Sequence, residues 1–363
     1  MKSSFSQNSV YKKCPQHWSW KYQHRLVSPI EGASLYFGSA VDEAVMGMLE
    51  GKTDAVEKFK SRWKNAFQWG KTTPVFDNVN ITYGYADYDE YVFQPGDEAV
   101  LLGWAQNLGL SSLGTTSTEI YKEIVKIKKN PYKTITADQL KYFSRASWLS
   151  LERKGEVLIE AFRTQFLPKV TKVHATQQQG SIKDPNSGDM IQGYIDMVLE
   201  IEGYDKPIVF DLKTAANPYK SEQIDHSDQL TLYAAMKGQE YNTDLVGYVV
   251  LCKNIPKDST GVCTSCGYTK NSSHRSCNNE IAGKRCNGAW NEQKDLAPEV
   301  QVLVRQKSAA EIHSCLSDFE NIMFAMKKNV VFKNTDNCTN WYGGMCPYYS
   351  ACYKGDTSGL KEK

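Results

Sequence analysis

One short segment constrains the fold of this chain more than any other. Residues 193–215, GYIDMVLEIEGYDKPIVFDLKTA, contain two β-forming apolar runs joined by a polar turn near Gly203. Asp196 lies inside the first run, where a carboxylate costs free energy unless it has a role. The segment therefore predicts a β-hairpin with apolar strands and a functional acid.

The second strand adds two more charges at fixed positions. Side chains alternate between the two faces of a strand, so Asp211 and Lys213 share one face. If the turn centres between Tyr204 and Asp205, Asp196 lies opposite Lys213. The hairpin is then expected to gather two carboxylates and one amine on a single face.

The pattern on either side of the hairpin predicts an α/β fold, with a central mixed sheet flanked by helices. Residues 30–165 are mostly helical by their apolar periodicity, including a helix that Thr136 and Gln139 begin as a capping box. Further strands are predicted at 170–179, 245–252 and 299–306, and further helices at 221–238 and 309–328. The expected units are an N-terminal helical region at 1–150, a core at 151–255 and a Cys-rich insertion at 256–292. A C-terminal segment at 293–363 is expected to complete the core.

Composition favours a cytoplasmic protein without a membrane partner. The 363 residues are 41% hydrophobic with a mean hydropathy of -0.51, and no apolar run approaches the roughly 18 residues of a membrane helix. The N-terminus lacks the apolar core of a signal peptide. A net charge of +2 neither favours nor excludes nucleic acid. Basic stretches with aromatics at 121–133 and 62–69 suit single-stranded nucleic acid, although each is also typical of a helix face over core aromatics.

Two carboxylates beside an amine suit phosphodiester hydrolysis. Carboxylate oxygens are the ligands that Mg²⁺ and Mn²⁺ prefer, and such an ion polarises a phosphate and acidifies a bound water. Lys213 could position that water or stabilise developing charge. A lone D-x-K triplet is more often a strand end with a surface salt bridge, so the prediction needs support from further residues.

That support comes from three spaced motifs. A G-x-x-D motif ends at Asp196, a D-x-K motif begins at Asp211, and a Q-x-x-x-Y motif begins at Gln229 on the next helix. In this order they resemble the RecB-like branch of the PD-(D/E)XK nuclease superfamily. The resemblance implies a restriction-endonuclease-like core and a role for each motif residue. It implies that Asp196 and Asp211 bind the metal, together with the backbone carbonyl of Leu212. It also implies that Lys213 serves the water, and that Gln229 and Tyr233 contact the substrate.

One position departs from that family. Its first helix usually carries a His four residues after a Gly, whereas the fourth residue after Gly38 is Asp42. Asp is a competent ligand for Mg²⁺ or Mn²⁺, so Asp42 is a candidate metal ligand. The alternatives are an exposed helix carboxylate, altered activity, or a different alignment of this helix.

Four cysteines that lie far apart in sequence resemble a second feature of some RecB-like nucleases. Those proteins hold a 4Fe–4S cluster of the AddB type with one Cys before the nuclease core and three after it. Here the order is matched, and the last pair keeps the C-x5-C spacing, but C-x7-C replaces the usual C-x2-C step, with Gly343 and Gly344 inside it. The resemblance implies a cluster that joins the chain ends. A zinc site or unrelated buried thiols are the alternatives. The residues are Cys14, Cys338, Cys346 and Cys352.

A second group of cysteines lies in the insertion. The C-x2-C pair of Cys263 and Cys266 is half of a zinc knuckle, and Cys277 and Cys286 are the expected second half. His274 is a rival ligand for Cys277. An insertion with so little apolar content needs a metal to fold, so we expect structural Zn²⁺ rather than free thiols.

Together these features predict a Mg²⁺- or Mn²⁺-dependent deoxyribonuclease. The expected activity is that of an exonuclease on DNA with single-stranded character, in recombination, repair or replication, and a phage origin would fit this layout. The alternative from another class is a non-catalytic nucleic-acid-binding protein that retains the nuclease fold, which the Asp42 departure favours. A CRISPR-type adaptation factor is a second alternative.

Overall fold

A computed structural model gives the structure of the protein. It describes residues 1–28, 30–64, 68–69, 74–75, 80–82, 93–94, 96–130, 132–183, 188–254, 260–271, 276–277, 279–281, 283–293, 299–338 and 345–363.

Most of the described helices lie in the N-terminal half of the chain or flank the central sheet. They are α1 (Phe5–Lys13), α2 (Pro15–Trp18), α3 (Ala33–Leu49), α4 (Ala55–Lys64), α5 (Asp97–Asn107), α6 (Ser117–Lys129), α7 (Ala137–Ala161), α8 (Ser221–Asp225), α9 (Asp228–Lys237), α10 (Ala309–Lys327) and α11 (Tyr349–Lys354).

The strands form one large sheet and several small ones. They are β1 (Lys2–Ser4), β2 (Leu26–Val27), β3 (Ile30–Gly32), β4 (Gln68–Trp69), β5 (Pro74–Val75), β6 (Asn80–Thr82), β7 (Val170–Lys183), β8 (Met190–Ile201), β9 (Ile208–Ala215), β10 (Leu245–Cys252), β11 (Thr260–Cys263), β12 (Thr269–Asn271), β13 (Glu280–Ile281), β14 (Lys284–Arg285), β15 (Trp290–Gln293), β16 (Val300–Gln306) and β17 (Lys361–Glu362).

The central sheet is mixed and six-stranded, which confirms the predicted fold class. Strand β8 pairs with β7 along one edge. Its other edge is shared, because parallel β1 pairs with Met190–Gln192 and antiparallel β9 pairs with Met197–Leu199. Strand β9 then runs parallel to β10, and β10 is antiparallel to β16. The edge of β8 at 193–196 therefore lies between two partner strands.

Helices cover both faces of this sheet because its strands are apolar on both sides. On one face α3, α4 and α7 contribute Phe37, Trp63 and Leu158 to a core cluster that includes Met197 and Phe210 of the sheet. On the other face α8 and α9 cover a second cluster, with α10 beside α9. The result is a three-layer α/β/α arrangement.

Local signals set most helix ends. Thr136 and Gln139 form the predicted capping box at the start of α7. The helix predicted over 221–238 is wrong in one respect, since it is divided into α8 and α9. The Ser227 hydroxyl accepts a hydrogen bond from Leu230 N and so begins a new helix at Asp228.

The hairpin of β8 and β9 forms as predicted, but its register is different. Met197 pairs with Phe210, so the turn centres one residue earlier than expected, between Gly203 and Tyr204. Gly203 takes a left-handed conformation at φ +88, which lets the turn close there. Continued by one residue, this register places Asp196 opposite Asp211 rather than Lys213. A turn shifted by one residue moves the pairing by two, so every side chain keeps its predicted face.

The Cys-rich insertion lies between the antiparallel strands β10 and β16. It folds into a small sheet of order β12-β11-β15 with a separate hairpin of β13 and β14. In the part of the chain that the structure describes, no helix combines the length and apolarity needed to cross a membrane.

Candidate functional site

The predicted motif residues converge where the shared edge of β8 passes from β1 to β9. Asp211 and Lys213 lie on the same face of β9, beneath the start of α9. Asp211 is 1% exposed, and its Oδ2 lies 2.5 Å from Lys213 Nζ. Its other oxygen, Oδ1, accepts a hydrogen bond from Gln229 Nε2 at 2.7 Å. One oxygen of this buried carboxylate is thus hydrogen-bonded by a motif side chain, and the other is ion-paired with Lys213 without a hydrogen bond.

Gln229 and Tyr233, one turn apart on α9, connect this pair to β8. Gln229 Nε2 also lies 2.8 Å from the Tyr233 hydroxyl, and Gln229 Oε1 accepts from Lys213 Nζ at 3.3 Å. The Tyr233 hydroxyl donates to the carbonyl of Tyr194 at 2.8 Å. Because Tyr194 lies in the part of β8 between its two partner strands, a side chain satisfies a carbonyl that has no strand partner there.

Asp196 occupies the same part of β8. Its Oδ2 accepts a hydrogen bond from the backbone N–H of Leu212 at 2.8 Å, so the carboxylate bonds the neighbouring strand next to Asp211. This contact fixes the distance between the two motif acids. The role of the Leu212 carbonyl stays a prediction.

Asp42 reaches the site from α3. A Cβ at Gly38 would lie 3.2 Å from Thr214 Oγ1, so glycine allows α3 to approach the end of β9 closely. Asp42 Oδ2 accepts from Gln177 Nε2 at 2.9 Å, whereas the buried Oδ1 has no hydrogen-bond partner among the described residues. Asp42 as a whole is half-buried, and its role as a metal ligand stays a prediction.

Burial raises the pKa of all three acids, and neighbouring carboxylates raise the pKa of Asp196 and of Asp42 further. Burial, followed by repulsion from Asp211 and Asp42, raises the pKa of Asp196 to about 8. Burial and then Asp211 raise the pKa of Asp42 to about 6, and burial also raises the pKa of Asp211. Burial disfavours the Lys213 ammonium, but Asp211 and Asp196 outweigh it and raise its pKa. Three acids against one close ammonium leave excess negative charge, which is the environment a divalent cation fits.

The unpartnered Asp42 oxygen supports the same conclusion, because a buried polar atom needs a partner. The acids are not yet as close as ligands of one ion. Among the described residues, the one group of three or more candidate ligands with all atoms within 4.8 Å is made of cysteines. The three acids are therefore grouped more loosely than the cysteines of the insertion.

A cavity of about 420 Å³ opens beside Asp42 and Gln177. Its other wall carries Lys52, Lys58 and Arg62, which the motif analysis did not identify as part of a site. Arg62 contacts Glu43 and donates to Ser39 Oγ at 2.6 Å, and Lys58 lies 3.3 Å from Glu43. These cations are thus held near the acids by pairing across α3 and α4.

The two basic stretches have different outcomes. Trp63 is fully buried, as the interpretation of core aromatics expected, while Arg62 beside it lines the cavity. Residues Lys64, Phe67 and Trp69 have side chains outside the described part of the structure. The stretch at 121–133 is largely α6, in which Lys128 lies over the buried ring of Phe143, as the alternative reading expected.

The four distant cysteines come together at the joined ends of the chain. Cys346 N donates to the carbonyl of Cys338 at 2.8 Å, and Asn337 Nδ2 donates to the carbonyl of Lys13, next to Cys14. Burial raises the pKa of Cys346 to about 11, with further contributions from Cys338, Cys14 and Cys352. No three of these sulfurs lie within 4.8 Å of one another. Gly343 and Gly344 lie outside the described residues.

The insertion cysteines are closer. The Sγ atoms of Cys263 and Cys286 are 3.6 Å apart, those of Cys266 and Cys277 are 3.7 Å apart, and all four lie within 4.8 Å. Tetrahedral Zn–S bonds of about 2.3 Å place sulfurs about 3.8 Å apart, so the spacing fits one ion. A Cβ at Gly288 would lie 2.6 Å from Cys263 Sγ, so the second knuckle needs glycine. His274 lies outside the described residues. All ten cysteines are described, and none forms a disulfide.

The fold and this arrangement of acids define a restriction-endonuclease-like protein. The sequence model of the PD-(D/E)XK nuclease superfamily matches residues 115–353, well over half of the chain, and the chain belongs to this superfamily. No curated protein matches it. Among solved structures, it is similar to a candidate exonuclease from Eubacterium rectale, with 11% identity, a TM-score of 0.30, and coverage of 82% of this chain and 84% of that one.

Proposed function

We propose that this protein is a Mg²⁺- or Mn²⁺-dependent nuclease that hydrolyses phosphodiester bonds of DNA as an exonuclease of the RecB-like branch. The observation that carries the proposal is the convergence of Asp42, Asp196 and Asp211 with Lys213 at the break in the edge of β8. These acids come from a helix and two strands, and their burial is unfavourable without a cation. Superfamily membership supports the same chemistry.

Each residue at the site has a distinct part in the proposed reaction. Asp196 and Asp211, with the Leu212 carbonyl, would hold the ion, and Asp42 would add a third carboxylate. A bound divalent ion supplies charge stabilisation at the phosphate and a more acidic water. Lys213, whose pKa is raised, would stay protonated, and it would orient the attacking water and stabilise negative charge in the transition state.

Gln229 and Tyr233 would position these groups and contact the substrate. Gln229 donates to Asp211 Oδ1, which is one of the carboxylate oxygens that could bind a cation. Gln229 must therefore release that oxygen or share it when the ion binds. The Tyr233 hydroxyl is already held by the Tyr194 carbonyl, which keeps the ring at the edge of the site.

The cavity beside Asp42 supports an approach path for a nucleic-acid strand. Its cations, Lys52, Lys58 and Arg62, can exchange their carboxylate partners for backbone phosphates when DNA arrives. A path formed by helices α3 and α4 next to the acids favours a single strand that is threaded towards the scissile bond. We therefore propose DNA with single-stranded character as the substrate, in recombination, repair or replication.

Two structural metal centres are part of the proposal. The sulfur spacing in the insertion fits Zn²⁺ on Cys263, Cys266, Cys277 and Cys286. The wider spacing of Cys14, Cys338, Cys346 and Cys352 does not suit one zinc ion, and it favours a 4Fe–4S cluster in which each thiolate binds a different iron. Ten unpaired cysteines fit a reducing compartment such as the cytoplasm.

The test is degradation of labelled DNA by anaerobically purified protein with Mn²⁺, Mg²⁺ or EDTA. We expect linear single-stranded DNA to be degraded with the divalent ions, circular DNA to resist, and Asp211→Ala to lose activity. The control is Glu202→Gln, which removes an exposed carboxylate from the turn of the same hairpin. Equal activity in wild type and Asp211→Ala would contradict the proposal, and DNA binding without cleavage would favour a non-catalytic binding protein.

A further inference from the structure

The strand next to the acids contains an unusual backbone conformation. Gln177 in the middle of β7 has φ +47, which is the left-handed region that residues with a side chain rarely adopt. The other described non-glycine residues with positive φ are Arg25, Asn242, Asn287 and Asn329, and none of them lies in a strand. A conformation of this kind costs roughly 1 kcal/mol or more and persists where surrounding contacts hold it.

The unusual φ changes where the Gln177 side chain points. In a regular strand, neighbouring side chains lie on opposite faces. Here Thr176 and Gln177 both reach the segment of α3 and the residue that follows it, since Thr176 Oγ1 donates to Glu50 Oε1 at 3.0 Å and Gln177 Nε2 donates to Asp42 Oδ2 at 2.9 Å. The left-handed backbone therefore brings the Gln177 amide to α3 and its acid.

The same irregularity lies directly across from Asp196. Gln178 pairs with Ile195 and Thr176 pairs with Met197, which places Gln177 opposite Asp196. On β8, Ile195 packs under α9 whereas Met197 packs under α3, although regular alternation would place both on one face. The break in alternation thus falls on the Gln177 and Asp196 pair.

The contact leaves Asp42 with one oxygen held and one oxygen free. Oδ2 accepts the amide of Gln177, and the buried Oδ1 has no partner among the described residues. An amide donor fixes a carboxylate without neutralising its charge, whereas an ammonium would neutralise it. The ionised Asp42 carboxylate therefore keeps its negative charge, and the lone pairs of Oδ1 stay available to a cation.

We propose that Gln177 is a positioning residue that holds the Asp42 carboxylate in the orientation in which its free oxygen becomes the third carboxylate ligand of the divalent ion. This inference rests on the proposed function, because it assumes that Asp196 and Asp211 bind that ion. It assigns a task to a residue outside every motif. It also explains how an Asp on α3 is held for metal binding, through a partner on β7.

The experiment titrates the full chain with Mn²⁺ in the absence of DNA and measures the affinity by electron paramagnetic resonance. We expect Gln177→Ala to weaken binding about tenfold, the lower end for the loss of a residue that orients a ligand. In an Asp42→Ala background the same substitution should change nothing further. Gln179→Ala, two residues along the strand and also exposed, is the matched control and should bind like wild type.

Gln177→Gly separates positioning from a purely structural role. Glycine adopts φ +47 without strain, so this variant should unfold at the same or a higher temperature and still bind Mn²⁺ about tenfold more weakly. Thr176→Val removes the neighbouring tie to Glu50 and should leave Mn²⁺ affinity unchanged.

Three results would overturn the inference: normal Mn²⁺ affinity in Gln177→Gly, normal affinity in Asp42→Ala, or an equal loss with and without Asp42. The first two leave the proposed function intact if Asp211→Ala abolishes Mn²⁺ binding. A wild type that binds no Mn²⁺ overturns both proposals.

Discussion

Replacing Asp196 with Asn should stabilise the protein without metal and remove its stabilisation by metal. Burial and the nearby acids raise the pKa of Asp196 from an ordinary value of 3.8 to about 8. The folded state therefore binds this proton more tightly than the unfolded state does. The ionised carboxylate destabilises folding increasingly as pH rises from about 4 to about 8, and the penalty is constant above that range. Asn has no such penalty, and its Oδ1 can still accept from Leu212 N–H.

The size of the effect follows from the two pKa values. At pH 7 the unfolded carboxyl has lost its proton and the folded one has largely kept it. The unfolded pKa lies about 3 units below this pH, so the penalty on the free energy of folding is about 4 kcal/mol. Asp211 shares the unfavourable charge, so we expect a gain on the order of 2–4 kcal/mol. For a chain of this length the gain corresponds to a rise in Tm of roughly 3–5 °C.

The assay is thermal unfolding at pH 7 in EDTA and in millimolar Mn²⁺, with Glu202→Gln as the matched control. Asp196→Asn should melt above wild type in EDTA, and Mn²⁺ should raise the Tm of wild type but hardly that of the variant. Glu202→Gln should follow wild type in both conditions. The reasoning is refuted if Asp196→Asn melts no higher than wild type in EDTA, or if Mn²⁺ stabilises both proteins equally.

Further predictions concern pH, substrate binding and the two sulfur sites. The Mn²⁺ affinity of wild type, measured by calorimetry, should increase about tenfold per pH unit from 6 to 8 as Asp196 loses its proton, and then level off; an affinity that is constant over this range contradicts the assignment. Arg62→Ala should weaken single-stranded DNA binding in EDTA and reduce its salt slope by about 1, whereas Lys126→Ala on α6 removes the same charge and should do neither. Cys266→Ser should lose zinc by elemental analysis while the main unfolding transition is kept, and loss of both would mean that the insertion supports the core. Cys346→Ala should lose iron and the visible absorption of the cluster, and retained iron would exclude the proposed ligand set.

Much of this arrangement follows from local patterns. Alternation along β8 and β9 placed Asp211 and Lys213 on one face. This prediction held despite the error in the turn position, because the strand pairing moved by two residues, which is one full repeat of a strand. The spacing of Gln229 and Tyr233 put both on one side of α9. Cysteine order indicated which sulfurs belong together. Each of these depends on a fixed repeat or a short spacing, which a sequence displays directly.

Other features depended on packing between distant segments. The sequence contains nothing that marks Gln177 among three consecutive glutamines, because its left-handed φ exists only where β7 lies between Asp196 and α3. The stretch at 62–69 allowed two interpretations, and only the packing of Trp63 in the core decided between them. The sequence alone determined the faces of the strands and the set of candidate acidic and sulfur ligands. Only the tertiary structure decided the hairpin register, the orientation of Asp42 and the spacing of the sulfurs, because these are distances between elements that contact one another only after the chain has folded.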